Sequence, residues 1–190
     1  LPSGTENLFA KEMGISPVLD RVLETIKWGR RIKLDIGKVN QRRFIMLAGI
    51  GFDAQVLVHL NSFRTGNITH FTYFWPVWRT FWEYEFPRFH IEADGDVLAE
   101  DEPGLVIISN MSRYAVGLRI CPQARCDDGL LDLCFYRCRD QMHLLAHAWR
   151  TLRRRHLGQP DVVYRQARCI RVRSRSPVPL QADGDPLGVL

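Results

Sequence analysis

Three short runs of this 190-residue chain hold residue types that could do chemistry. In Gln181-Ala182-Asp183-Gly184-Asp185-Pro186-Leu187, two carboxylates flank a glycine. A carboxylate so placed can act as general base toward a hydroxyl when its neighbours tune it. Asp-Gly is also a common hairpin signal, and Asp94-Gly95-Asp96 repeats the triplet, so the triplet alone marks a turn before it marks a site. In Pro122-Gln123-Ala124-Arg125-Cys126-Asp127-Asp128-Gly129-Leu130-Leu131-Asp132, paired acids occupy a tight turn ahead of an apolar segment. Carboxylates and backbone carbonyls are the ligands of a hard cation; the plainer reading is an Asx-type turn with Gly129 at positive φ. In Pro2-Ser3-Gly4-Thr5-Glu6-Asn7-Leu8-Phe9-Ala10, a Gly-Thr turn runs straight into a helix. Amides at a helix start can hold phosphate, with the Thr5 hydroxyl as an added donor; the plainer reading is that Thr5 caps the helix.

The elements that would position these runs follow from periodicity. Residues 5–13 and 17–28 read as helices, with Gly14 stopping the first and Pro17 suited to the first turn of the second. Ile32, Leu34 and Ile36 alternate with Lys33 and Asp35, the pattern of a half-buried strand. Residues 44–48 read as a second strand, joined to the first through the polar stretch 37–43 as a hairpin. Gly49-Ile50-Gly51 breaks that strand, and helices are expected over 52–60 and 71–84, the latter ended by Pro87. Beyond Pro87 the pattern is mostly strand: 88–93, 96–100, 105–110, 130–136, 162–164, 169–174 and 180–182. An amphipathic helix over 140–155 interrupts it, with Met142, Leu145, Trp149 and Leu152 along one side.

Composition narrows the class. A hydrophobic fraction of 46% and a charged fraction of 25% are ordinary for a globular domain and exclude bulk disorder. No run of about 18 apolar residues is present, so no membrane-crossing helix is expected. The chain opens on Leu1-Pro2 with no leader pattern, which reads as a fragment boundary. The five cysteines contain no C-x-x-C pair, so reduced cytosolic thiols are expected over zinc ligands or disulfides. The net charge of +5 gathers in arginines between 150 and 155 and between 165 and 175. Such a surface suits anionic headgroups, nucleotide phosphate or nucleic acid. The apolar residues between those arginines read as strand and helix cores and not as the stacking face of a single-strand binder, so no nucleic-acid partner is expected.

Taken together and in order, the runs resemble the diacylglycerol kinase catalytic-domain superfamily, which includes bacterial lipid kinases, ceramide kinases and sphingosine kinases. Gly4 to Lys11 matches its Gly-Thr-x-Asn run, and Gly49-Ile50-Gly51-Phe52-Asp53-Ala54 its Gly-x-Gly-Phe-Asp-Ala segment. Asn110, Tyr114, Gly117 and Pro122 to Asp132 match the Asn-x-x-x-Tyr-x-x-Gly stretch and the Asp-Asp-Gly-Leu-Leu-Asp turn that follows it. Asp183-Gly184-Asp185 stands where the family has Asp-Gly-Glu.

The resemblance implies an α+β protein: a mostly antiparallel β-sandwich lobe with inserted helices, preceded by a helical remnant of an α/β nucleotide-binding lobe. On that reading residues 1–29 belong to the ATP-binding lobe and residues 30–190 to the sandwich. It assigns nucleotide contact to Gly4, Thr5 and Asn7, and Mg²⁺ binding to the Asp128 side chain with the backbone carbonyls of Arg125 and Leu130. It makes Asp185 the base that takes the lipid hydroxyl's proton, with Asp183 beside it. The expected function is ATP- and Mg²⁺-dependent phosphoryl transfer to a hydroxyl of a diacylglycerol or sphingoid-type lipid. The family's Gly-Gly-Asp-Gly-Thr loop lies before the residues of this chain, so the piece alone is expected to be inactive. The alternative is a non-catalytic lipid-binding or regulatory module derived from the same fold. A cytoplasmic location is expected, with peripheral contact at the inner membrane face through the aromatic helix at 71–86, and a homodimer is compatible with the pattern.

Overall fold

The computed structural model of the protein describes residues 6–62 and 70–190. Two helices lead, α1 (Leu8–Glu12) and α2 (Leu19–Trp28). Between them Gly14 takes φ +65°, the left-handed stop that glycine supplies after a helix. Residues 29–36 run without regular structure into a hairpin of β1 (Gly37–Val39) and β2 (Arg42–Phe44). Then come β3 (Leu47–Ile50), α3 (Phe52–Ser62) and α4 (His70–Glu83). After them follow β4 (Arg88–Ala93), the long β5 (Asp96–Ser109), β6 (Leu131–Arg137) and α5 (Gln141–Leu152). The chain closes through β7 (Val162–Ala167), β8 (Ile170–Ser174), β9 (Pro179–Ala182) and β10 (Asp185–Val189).

β5 organises the sheet because it serves two sets of partners. Its first half pairs with β4, which pairs in turn with β8. Its second half lies between β3 and β6, and from there the sheet extends to β9 and β10 on one side and β7 on the other. Every one of these pairings is antiparallel. The period-two alternation of strand side chains then builds two cores. Val106, Ile108, Leu133 and Phe135 point to one, with Phe44, Phe89, Ile91 and Leu180. Leu105, Ile107, Cys134 and Tyr136 point to the other, against Tyr84, Phe86, Ile120 and Leu144. The fold is the mostly antiparallel sandwich with inserted helices that the sequence led us to expect.

Individual elements differ from expectation for local reasons. The alternation at 32–36 is not a strand: Ile32 and Ile36 are exposed. That segment is held by backbone and side-chain hydrogen bonds of Asp35 instead. The strand expected at 44–48 begins at Leu47 and runs through Gly49-Ile50, because the amides of Ile45 and Met46 are taken by a carboxylate from β9–β10. Segments 96–100 and 105–110 are one strand; Pro103 sits opposite Arg88, and at Gly104 the strand exchanges β4 for β6. β10 went unread because Pro186 and Gly188 punctuate it, and its register shifts between those residues. Part of each arginine cluster is paired within the sheet and its flanks: Arg171 and Arg173 pair with Glu92, Arg165 with Asp96, Arg175 with Asp101, and Arg150 with Asp161. All five cysteines are free thiols.

Candidate functional site

The β9–β10 hairpin turns through Asp183 at φ +50° and Gly184 at φ +91°. Two consecutive positive φ values define a tight hairpin turn, which explains an Asp-Gly pair here. The Asp183 carboxylate accepts hydrogen bonds from the backbone amides of Ile45 (2.7 Å), Met46 (2.8 Å) and Leu47 (3.0 Å). The other triplet does the same. Asp94 and Gly95 have φ +49° and +96°, and the Asp94 carboxylate accepts from the amides of Arg168 and Cys169. Those two amides hold the Asp94 carboxyl below its usual range. In each triplet the leading acid therefore clamps a neighbouring segment. The trailing acid of the later one, Asp185, is exposed at the start of β10, opposite Ala182.

Behind this turn lies a polar group that the sequence reading left without a role. Asp53, in the first turn of α3, is partly buried and accepts hydrogen bonds from the Tyr114 hydroxyl and the Gln181 side-chain amide. Loss of water around its carboxyl pushes its pKa up, and the two hydrogen bonds work in the opposite direction. Gln181 is buried, and its Oε1 accepts from the amide of Gly184 at 3.0 Å.

The Gly-x-Gly segment exists to let these groups approach. A Cβ on Gly49 would lie 2.2 Å from Asp53 Oδ2 and 2.9 Å from Gln181 Nε2. A Cβ on Gly51, itself at φ +94°, would lie 2.3 Å from the Tyr84 hydroxyl, which donates to the carbonyl of Gly104. Gly49→Ala is accordingly expected to cost about 1–2 kcal/mol by overpacking, read as a lowered midpoint in urea unfolding; an unchanged midpoint would show that the pocket yields.

The acidic turn is held as firmly. Gly129 takes φ +75°, and the Asp128 carboxylate accepts from the amide of Leu130 at 3.0 Å, closing an Asx turn. From outside, Asp35 accepts from the amide of Gly129 at 2.6 Å and donates its own amide to the carbonyl of Cys126 at 2.7 Å. Arg125 reaches Asp127 through its side chain. Among the described residues no three His, Cys, Asp or Glu side chains gather as a metal group. The donors here would be one carboxylate and the backbone carbonyls of Arg125 and Leu130. That set suits Mg²⁺, which keeps several waters and takes only one or two carboxylates from protein.

The loop after β5 ties these pieces together. Asn110 is fully buried, and its Nδ2 donates to the carbonyls of both Asp35 (2.9 Å) and Ile45 (2.8 Å). It therefore bridges the support of the acidic turn to the segment clamped by Asp183. Two residues on, Ser112 donates to Glu12 of α1 through its amide and hydroxyl, and Arg113 pairs with the same carboxylate at 3.3 Å. Tyr114 reaches Asp53. Of the nucleotide-side candidates, Gly4 and Thr5 lie outside the described residues, and Asn7 sits at the N-cap of α1 with φ +48°. Asp35, Asp53, Gln181 and Glu12 went unassigned in the sequence. Asp53 alone had a visible signal, its place within the Gly-x-Gly-Phe-Asp-Ala segment.

Two further features flank the turn-bearing sheet. An open cleft of about 1160 Å³ lies between α3, the end of α4 and residues 175–179, with Val58, Phe86, Pro87 and Val178 among its walls. A groove of about 710 Å³ between α4 and α5 is lined by Phe74, Trp78, Phe81, Trp82, Met142 and Leu145. Trp75, Trp82, Met142 and Trp149 are each more than half exposed. No helix among the described residues is long and apolar enough to cross a membrane.

The sheet and its three braced turns define a mostly antiparallel β-sandwich domain with inserted helices. Residues 47–190 match the model of the YegS C-terminal NAD kinase beta sandwich-like domain, and the chain belongs to that family. It is 27% identical over its whole length to a diacylglycerol kinase of Staphylococcus carnosus strain TM300, of which it covers 62%. A Staphylococcus aureus diacylglycerol kinase, from strain bovine RF122 / ET3-1, is 29% identical and 60% covered. Among solved structures, a diacylglycerol kinase from Bacillus anthracis superposes with a TM-score of 0.65 at 18% identity, over 98% of this chain and 58% of that one. Another chain from the same organism gives a TM-score of 0.72 at 20% identity, over 99% and 62%. The chain thus spans roughly 60% of the length of these curated relatives.

Proposed function

We propose that this chain is the sandwich part of a lipid kinase that moves the γ-phosphoryl group of ATP to a lipid hydroxyl. The observation that carries the reading is the β9–β10 turn: Asp183 is committed to three backbone amides, while Asp185 beside it stays exposed. The proton-accepting role therefore falls to Asp185 alone. Its carboxylate takes the hydroxyl proton as the lipid oxygen attacks phosphorus, and ADP leaves. Residues 1–29 would belong to the nucleotide-binding lobe, with Gly4, Thr5 and Asn7 on the phosphate side. Asp128 and the carbonyls of Arg125 and Leu130 would hold Mg²⁺, whose charge there would stiffen the acidic turn. The test is transfer of radiolabelled phosphate by the full-length protein to a panel of diacylglycerol and sphingoid lipids. Labelling of a lipid supports the proposal; ATP binding without transfer to any of them would favour a regulatory module instead.

A substrate of this kind lives in a membrane, and the exposed aromatic side chains of α4 and α5 would be the surface that meets it. Large aromatic side chains on a helix surface bury into the headgroup boundary. Replacing Trp75, Trp78 and Trp82 together with alanine is expected to weaken co-sedimentation with anionic vesicles on the order of tenfold or more. Unchanged co-sedimentation would rule out that contact.

A further inference from the structure

We infer that Gln181 and Asp53 are positioning residues: they form a strut that sets where the Asp183-Gly184-Asp185 turn stands. The inference rests on the kinase reading for its consequence, and on hydrogen bonding alone for its existence. A tight turn is fixed only if both of its sides are held. On one side, Asp183 grips the amides of Ile45, Met46 and Leu47. On the other side, the Gly184 amide is held by Gln181 Oε1 at 3.0 Å.

Gln181 can serve there because its amide is bifunctional. Its carbonyl end accepts from the turn, and its Nε2 end donates to Asp53. Asp53 in turn is fixed by the Tyr114 hydroxyl and by its place at the start of α3. Gln181 is 2% exposed, so an end of its amide released from this chain would be left buried and unsatisfied. Gly49 has no side chain at the point where one would strike both Asp53 and Gln181. The strut thus joins the Gly-x-Gly-Phe-Asp-Ala segment, the loop carrying Tyr114 and the final hairpin. At the earlier triplet the residue three before the glycine is Glu92, which pairs with Arg171 and Arg173 and not with the turn; that turn is held by the Asp94 clamp and the Arg165–Asp96 pair. A turn that carries only structure has the clamp; the turn proposed to carry chemistry has the clamp and the strut.

The experiment uses the full-length protein and Gln181→Met, which keeps length and removes both hydrogen-bonding ends. Amide hydrogen exchange at Gly184 reads the strut directly. Protection there is expected to be lost, while amides of β5 and β6 keep theirs. Wild-type protection at Gly184 in the variant overturns the inference. If the variant folds poorly, Asp53→Asn replaces it as the test. An asparagine carbonyl can still accept from Gln181, so Gly184 protection is expected to persist in Asp53→Asn and to vanish in Asp53→Leu; equal protection in both overturns the strut. For the consequence, Gln181→Met is expected to lower kcat on the order of 10²-fold, since a displacement near 1 Å costs about that much, with KM for lipid unchanged. Lost protection with unchanged kcat overturns the positioning role. If the wild type transfers no phosphate, the kinase reading fails, and the exchange measurement alone decides the strut.

Discussion

Asp185→Ala in the full-length protein is expected to lower the rate of phosphoryl transfer to lipid by about 10²–10⁴-fold, the range that a positioned general base contributes. The expectation follows from what surrounds the residue. Asp185 begins β10, is exposed, and is followed by Pro186, whose fixed φ limits the backbone just past it. Its neighbour Asp183 cannot substitute, because both of its oxygens already receive backbone amides. The loss should fall on kcat, with KM for ATP unchanged, because in the proposed reaction the side chain would meet the acceptor hydroxyl and not the nucleotide. Asp185→Glu, which gives the Asp-Gly-Glu pattern of the family that the sequence resembles, is expected to keep at least the wild-type rate. Single-turnover transfer of labelled phosphate to the preferred lipid measures both. A wild-type rate in Asp185→Ala would remove Asp185 as the base.

The strands of the core were legible because their side chains alternate between two apolar layers; Leu105 to Ile108 and Leu133 to Tyr136 feed one core and then the other. The turns were legible because Asp-Gly and Asp-Asp-Gly demand backbone that few other residues adopt, and Gly129 and Gly184 take it. What could not be read was which polar groups meet across the fold. Asp35 was assigned to a strand by alternation, yet it works as a bracket for a turn 94 residues away. Asp53 lies 128 residues from Gln181, and its place in the Gly-x-Gly-Phe-Asp-Ala segment marks it without telling which group it meets. Asn110 looked like a motif residue without a task, and its task is to join two loops, each through a backbone carbonyl. Contacts of this kind depend on the sheet order. β3 lies between β5 and β9, which sets the 45–47 segment beside the last hairpin; periodicity holds no information about that neighbour.

The clamp makes a second large effect testable, this time on stability. Asp183→Ala is expected to cost about 2–4 kcal/mol of unfolding free energy. Three amides lose a charged acceptor, and hydrogen bonds to a charged group contribute about 1.5–3 kcal/mol each. The sum is reduced because Ile45 is exposed and water can replace its partner. A further part comes from the backbone: Asp183 stands at φ +50°, where Asp and Asn are tolerated better than Ala. Asp183→Asn separates the two. It keeps the left-handed preference and one accepting oxygen, enough for Met46 and Leu47, which share Oδ1, while Ile45 loses Oδ2. Its cost should therefore be less than half that of alanine, as read from urea unfolding midpoints at equal slope. The same pair of substitutions at Asp94 offers a control in a turn proposed to carry no chemistry: stability should fall there too, through the amides of Arg168 and Cys169, while the phosphoryl-transfer rate per folded molecule stays at the wild-type value. If Asp183→Ala leaves stability unchanged and abolishes transfer, the clamp is not what Asp183 supplies, and the division of labour between the two acids of the triplet is reversed.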